Sequence, residues 1–216
     1  NKNEMYPELI TYSKYINSIP DEGFHILAHQ TDDKILVYQA YNNEIADFAI
    51  KNQRLGGNAF KYSRMSWIKP NFLWMMYRSG WAGKPNQERV LGIWLKKTDF
   101  NKILSEAVYS SFQEKIYITH DNWKAQLAQK EVRLQWDPDH DVFGNKQLRK
   151  AIQLGLKGKI LHDFGNNMIT KIIDMTEIAQ AQKVKIKAKE ISKVIVPKEW
   201  QYEVKADDLR EKLQLD

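Results

Sequence analysis

Apolar residues recur at three- and four-residue steps through Tyr6, Leu9, Ile10, Tyr12, Tyr15, Ile16 and Ile19. That period predicts an amphipathic helix over residues 1–20, ended by Pro20, Asp21 and Gly23. Phe24 to Ala28 and Lys34 to Ala40 then read as short strands, with Thr31-Asp32-Asp33 as the turn between them. The second, KILVYQAY, is mostly apolar and predicts a central strand, in which Gln39 needs a hydrogen-bond partner. Asn42 or Asn43 caps a predicted helix to Arg54, with Ile45, Phe48, Ala49 and Leu55 as its inward stripe. Gly56-Gly57-Asn58 breaks the chain without the spacing of a phosphate-binding glycine loop.

The next stretch, Arg64 to Leu95, is the densest in the chain. It holds four of the seven tryptophans and three of the six methionines. Lys69-Pro70 predicts a helix entry with proline at the first helical position. Phe72, Leu73, Met75 and Met76 form one face; Trp74, Tyr77, Arg78 and Trp81 form another, so Arg78 is placed to stack on Trp74. Gly80 and Gly83 end the helix, and Glu88 to Leu95 reads as a strand.

Beyond it, Thr98 or Asp99 starts a helix to Val108, Lys115 to Thr119 reads as a strand, and Asp121 to Gln129 as a helix. Glu131 to Trp136 alternates, with Val132, Leu134 and Trp136 on one face and Arg133, Gln135 and Asp137 on the other; Pro138 should stop it. Lys146 to Lys159 carries five cations in a segment that reads as a charged turn or a phosphate contact. Asp174 with Glu177 suggests a capping box before a lysine-rich helix, Ile191 to Val196 an apolar segment, and Asp207 to Leu213 a last charged helix.

These elements predict an α+β fold: one compact domain with a mixed or antiparallel central sheet flanked by helices. Residues 1–23 would be a docked helix, 24–197 the main domain and 198–216 a charged tail.

Composition sharpens this. Of 216 residues 43% are apolar and 12% aromatic, which supports a packed core rich in amphipathic rings. The absence of cysteine excludes disulfides, thiolate catalysis and cysteine zinc sites. No apolar run is long enough for a membrane span, and NKNEMYPELI lacks a signal-peptide layout, so no membrane partner and a cytoplasmic location are the expectation. A formal charge of +6 suits an anionic partner: a nucleotide, NAD, RNA or DNA.

Arg64, Lys69, Arg78, Lys84 and Arg89 lie within one helix-and-loop unit, among rings able to stack on a base or nicotinamide. Arg64, Lys69, Trp74, Tyr77, Arg78, Trp81 and Arg89 are therefore the candidate nucleotide-binding residues. Glu88 is the acid beside them, oriented by opposite charge as a catalyst or ribose ligand would be. His120-Asp121 and the cluster Asp137, Asp139, His140, Asp141 are weaker candidates for a base pair and a metal turn; the latter lacks the EF-hand spacing.

VYQAY (37–41), NEIADFAI (43–50), RMSWIKPNFLWMMYRSGW (64–81), QERVL (87–91), LQWDPD (134–139) and IQLGL (152–156) together resemble the domain-of-unknown-function family 4291, from about Ile26 to the Pro197 segment. The chain departs from that family at Leu27, where members tend to carry an arginine, so a role built on that arginine does not transfer. More loosely, the layout resembles the ADP-ribosyltransferase superfamily. That resemblance implies NAD as cofactor, Gln39 at the first-strand position usually held by His or Arg, Trp74 or Tyr77 stacking on nicotinamide, and Glu88 or Gln135 as the late catalytic group.

The expected function is a nucleotide-using enzyme, first an NAD-dependent ADP-ribosyltransferase-like transferase acting on nucleic acid or protein. The alternative is a nucleic-acid-binding module without catalysis.

Overall fold

A computed structural model describes residues 6–216. Its strands in chain order are β1 (Leu9–Thr11), β2 (Gly23–Phe24), β3 (Leu27–Ala28), β4 (Lys34–Tyr41), β5 (Ser66–Ile68), β6 (Arg89–Lys96), β7 (Ala107–Tyr109), β8 (Val132–His140), β9 (Lys146–Leu156), β10 (Ile169–Asp174), β11 (Ile195–Pro197) and β12 (Trp200–Gln201). The helices are α1 (Tyr12–Ser18), α2 (Asn43–Asn52), α3 (Phe72–Ser79), α4 (Lys97–Ser105), α5 (Glu114–Tyr117), α6 (His120–Gln129), α7 (Gly158–Asp163), α8 (Thr176–Lys187) and α9 (Asp207–Leu213).

Two sheets face each other across a shared core. One has the order β10-β6-β4, antiparallel throughout. The other has five strands: β2, β9, β8 and β7 in order, with β5 also on β9. Ile35, Val37, Leu91, Ile93 and Leu95 from the first sheet meet Ile68, Val132, Leu134, Leu154 and Leu156 from the second, all fully buried. Alternation puts Leu36, Tyr38, Val90 and Trp94 on the opposite face of the first sheet, where α3 packs with Phe72, Leu73, Met75 and Met76. Gly92 sits in the middle of β6 because a Cβ there would come within 2.9 Å of Ile173. This is an α+β fold with mixed and antiparallel sheets.

The structure differs from the sequence reading in several elements. The expected helix over 1–20 begins as a strand: β1 pairs with β11, and Thr11 then caps a helix only from Tyr12. Residues 1–5 lie outside the described part. Phe24–Ala28 splits between two sheets at β2 and β3. β4 is an edge strand of its sheet and not central; its outer side is met by His29, Gln30 and Lys69. Pro70 lies two residues before α3, and Asn71 is the cap, its Oδ1 accepting from Trp74 N at 2.7 Å. Lys115 falls in the helix α5 instead of a strand. Pro138 does not stop β8; the strand runs to His140 with a register shift after the proline. The lysine-rich segment from Lys146 is the 11-residue strand β9. Residues 198–216 place Tyr202, Val204 and Leu213 in the main core.

The acidic cluster and the second basic patch meet inside the protein. Asp139 and Arg149 form an ion pair at 2.7 Å with side chains 1% and 7% exposed, and Arg149 also donates to Pro20 O at 2.8 Å. A buried pair is strongly destabilised by loss of one partner. Asp139→Asn is therefore expected to cost about 3–5 kcal/mol in urea unfolding. Replacing both, as Asp139→Leu with Arg149→Met, should cost clearly less than the single change. An Asp139→Asn protein as stable as the parent would show that the pair does not hold β8 to β9.

Candidate functional site

The site is built on the outer face of the five-stranded sheet. Ile68, Leu134 and Leu154 point into the core, and Ile68 and Leu134 are both register partners of Leu154. Their neighbours Trp67, Gln135 and Gln153 consequently lie on the opposite, half-buried face. Asp137 joins them: Gln135 Nε2 donates to its Oδ1 at 2.9 Å and Gln153 Nε2 to its Oδ2 at 2.8 Å. Trp67 faces Gly155 in register, where a Cβ would sit 3.0 Å from the indole and 2.6 Å from Met65 Sδ. The bare glycine lets the ring lie against the sheet, and no other ring pairs with it among the described residues.

Lys69 follows Ile68 onto this face. It is 6% exposed, yet no hydrogen bond or ion pair to its Nζ occurs among the described residues. Burial, and then the charge of Arg78, push its ammonium down from 10.5 to about 8, with Asp137 pulling the other way. Arg78 itself is exposed, without a hydrogen bond or ion pair among the described residues. The expected Arg78–Trp74 stack does not form. Tyr77 stacks on Trp74 instead at 5.4 Å, and His140 lies on Tyr77 at 3.6 Å and within 5.3 Å of Trp74. Both His140 ring nitrogens and Trp74 Nε1 are buried without partners, and burial holds the imidazole below its usual range, hence neutral.

The other candidates are dispersed. Gln39 is buried between the sheets, donating to Ser66 Oγ at 2.8 Å and Trp67 O at 3.0 Å. Glu88 accepts from Asn86 N at 2.7 Å in its own loop. Arg89 is held by Asp47 and Asp174, each at 2.6 Å. Trp81 is core, 6.3 Å from Phe72. Arg64 lies on the far side of β5 with Tyr41 and Ser66. His120 stacks on Phe112 at 3.8 Å and does not engage Asp121. Gln39, Glu88 and Gln135 thus do not converge, whereas Lys69, Arg78 and Gln135 share one face. Trp67, Asp137 and Gln153 complete it. The signal for them was the alternation of SWIK against LQWD and IQLG, which sets these residues opposite the apolar ones.

The model of the domain of unknown function DUF4291 matches residues 25–202, most of the chain. The chain belongs to that family. A search of curated proteins found no match. The family match spans the whole outer face: Trp67, Lys69, Arg78, Gln135, Asp137 and Gln153 all fall within it. Leu27, where an arginine was the family expectation, is buried and pairs with Gln201 in the β3–β12 ladder. Among the described residues of this DUF4291 protein no helix is long and apolar enough to cross a membrane.

A cation lowered by burial weakens the fold below its unfolded pKa. Between about 8 and 10.5 the unfolded chain binds the Lys69 proton more tightly, so stability rises with pH across that window. Lys69→Met should accordingly stabilise the protein at neutral pH, by up to about 3 kcal/mol. The gain should shrink as pH rises from 8 to 10.5. Chemical unfolding of both proteins across that range checks it; a gain constant with pH would mean that the ammonium is not strained.

Proposed function

We propose that this protein binds nucleotide phosphates and bases on the outer sheet face, and that a single-stranded nucleic acid is the ligand this face fits best. The observation that carries the reading is Lys69, a buried residue whose Nζ has no hydrogen-bond or ion-pair partner among the described residues. A buried charge is normally paired, so a site that keeps one unpaired is suited to an incoming anion. Arg78 adds a second free cation, and a phosphate between the two would relieve their repulsion. Trp67 supplies a flat indole beside them, the sequence-tolerant stacking surface used for single-stranded bases. Gln153, fixed on Asp137 through its Nε2, leaves its amide oxygen for a base edge, whereas the Gln135 oxygen already accepts from Ser110 Oγ at 3.4 Å.

A second reading is the NAD-dependent ADP-ribosyltransferase-like transferase. It is favoured by Asp137, an acid held by two amides beside the same cations. Lys69 and Arg78 would take the diphosphate, Trp67 the nicotinamide or adenine ring, and Asp137 the positive charge that develops on the ribose as nicotinamide leaves. Glu88 and Gln39 have no part in this version.

A thermal-shift series with NAD, ADP-ribose, ATP and short RNA and DNA separates the two. A ligand at one hundred times its Kd stabilises by about 2.7 kcal/mol. The first reading expects single-stranded RNA or DNA to give the largest shift. It expects a log–log salt slope that falls by about 0.7 for each of Lys69→Met and Arg78→Ala. Trp67→Ala should weaken binding with little change in slope. A shift with NAD or ADP-ribose alone, followed by nicotinamide release that Asp137→Asn abolishes, would replace it with the second. No shift with any of these ligands would refute both.

A further inference from the structure

Strand β5 has a second side. Where Trp67 faces outward, Ser66 faces inward, into a separate cavity of about 280 Å³ lined by Tyr41, Ile45, Phe60, Arg64, Met65 and Ser66. That volume lies just below the roughly 300–1,000 Å³ usual for small-molecule sites and limits the occupant to a small one. The lining is about half polar and open to solvent on one side; its apolar part includes the Tyr41 and Phe60 rings, 5.9 Å apart and nearly perpendicular.

Its floor is a hydroxyl pair with a countable deficit. Ser66 Oγ accepts from Gln39 Nε2 at 2.8 Å and lies 2.6 Å from the Tyr41 hydroxyl. One of these hydroxyls donates to the other. With the Gln39 amide turned to donate to Ser66 Oγ and Trp67 O, the second proton of the pair has no acceptor among the described residues, and Gln39 Oε1 is likewise left without a partner. Burial keeps the Tyr41 phenol protonated, so the donor persists. Gln39, 2% exposed, fixes Ser66 from behind.

Its rim is cationic. Arg64 and Lys61 are both exposed there, and no carboxylate is among the lining residues. The Arg64 guanidinium has no hydrogen bond or ion pair among the described residues.

We propose that this cavity binds a small phosphomonoester carrying one flat ring, with the ring between Phe60 and Ile45 and the phosphate reached by Arg64 and the free hydroxyl of the Ser66–Tyr41 pair. A charge-assisted contact from a guanidinium to phosphate suits this geometry, and a neutral ring alone would leave the free donor and the cations unused. The site is distinct from the outer face: none of Trp67, Lys69, Asp137 or Gln153 lines it.

The test is amide NMR titration of the full chain with phenyl phosphate, against benzyl alcohol as the uncharged control. Saturable shifts are expected at residues 59–66 and at Asn86, with Kd at or below about 1 mM. Arg64→Ala should weaken binding roughly tenfold, and Tyr41→Phe, which keeps the ring, should weaken it less. Lys69→Met should leave it unchanged, so this outcome is independent of the nucleic-acid reading. Shifts confined to Trp67, Lys69 and Gln153, no saturation, equal binding of benzyl alcohol, or an Arg64→Ala protein with unchanged Kd would each overturn the proposal.

Discussion

The four residues from Ser66 to Lys69 hold the two sheets together, and most of the molecule depends on how they do it. Ser66, Trp67 and Ile68 pair with Leu156, Gly155 and Leu154 of β9. One residue later the chain changes partner: Lys69 exchanges both backbone hydrogen bonds with Tyr38 of β4, at 2.8 and 3.1 Å. Gln39 adds a side-chain stitch to Trp67 O. A short strand thus joins the edge of one sheet to the edge of the other, satisfying backbone groups that would otherwise be buried and unpaired at both edges. The packing of Ile68 against Leu134 and Leu154 follows from this junction, as does the point from which α3 departs.

That junction explains why a lysine is buried at a cost to stability. Its backbone position is fixed by Tyr38, and Pro70 and Asn71 commit the next residues to the start of α3. The helix start is itself locked: Glu199 accepts from Phe72 N at 2.9 Å, from Asn71 Nδ2 at 3.2 Å and from the Tyr15 hydroxyl at 3.0 Å. The Lys69 backbone is thereby fixed beside these elements, with the residue 6% exposed. A residue of similar length without charge would pack there more favourably. In the proposed reading that cost is recovered when an incoming anion pairs with the ammonium.

The sequence made the regular parts legible and hid the parts that depend on distant partners. Helix α2 follows from its Asn42 cap and apolar stripe, with Asn42 Oδ1 accepting from Ile45 N at 3.0 Å. The alternation of Val132 to Gln135 correctly separated core from surface in β8. Leu9 to Thr11 satisfied a helical period yet became a strand, because β11, nearly two hundred residues away, offered a partner that no local pattern could show. Asp139 read as part of a weak metal turn and Arg149 as part of a charged turn or phosphate contact; only the β8–β9 pairing brings them together. Within the aromatic block the packing was misread where helix geometry was taken without the neighbouring sheet. Trp74 met Tyr77 and His140 instead of Arg78, and Trp81 and Arg89 went to the core and to an ion-pair triad.

Trp67 and Ser66 are adjacent in sequence and face opposite sides of one strand, so the outer face and the inner cavity share a wall one residue thick. Any energetic coupling between them must pass through β5. A slip by one residue would exchange the two faces altogether, and β5 is pinned against that by β9 along one edge, by Tyr38 at its end and by Gln39 across it. Coupling through a packed element requires two arrangements of comparable energy. β5 is paired with β9 along one edge and held beyond the other by Tyr38 at Lys69 and by Gln39 at Trp67 O, with Ile68 fully buried, which favours a single arrangement. The two proposed sites would then be occupied independently, each by virtue of its own side chains: an ammonium without a partner and an indole outside, a hydroxyl proton and a guanidinium without partners within.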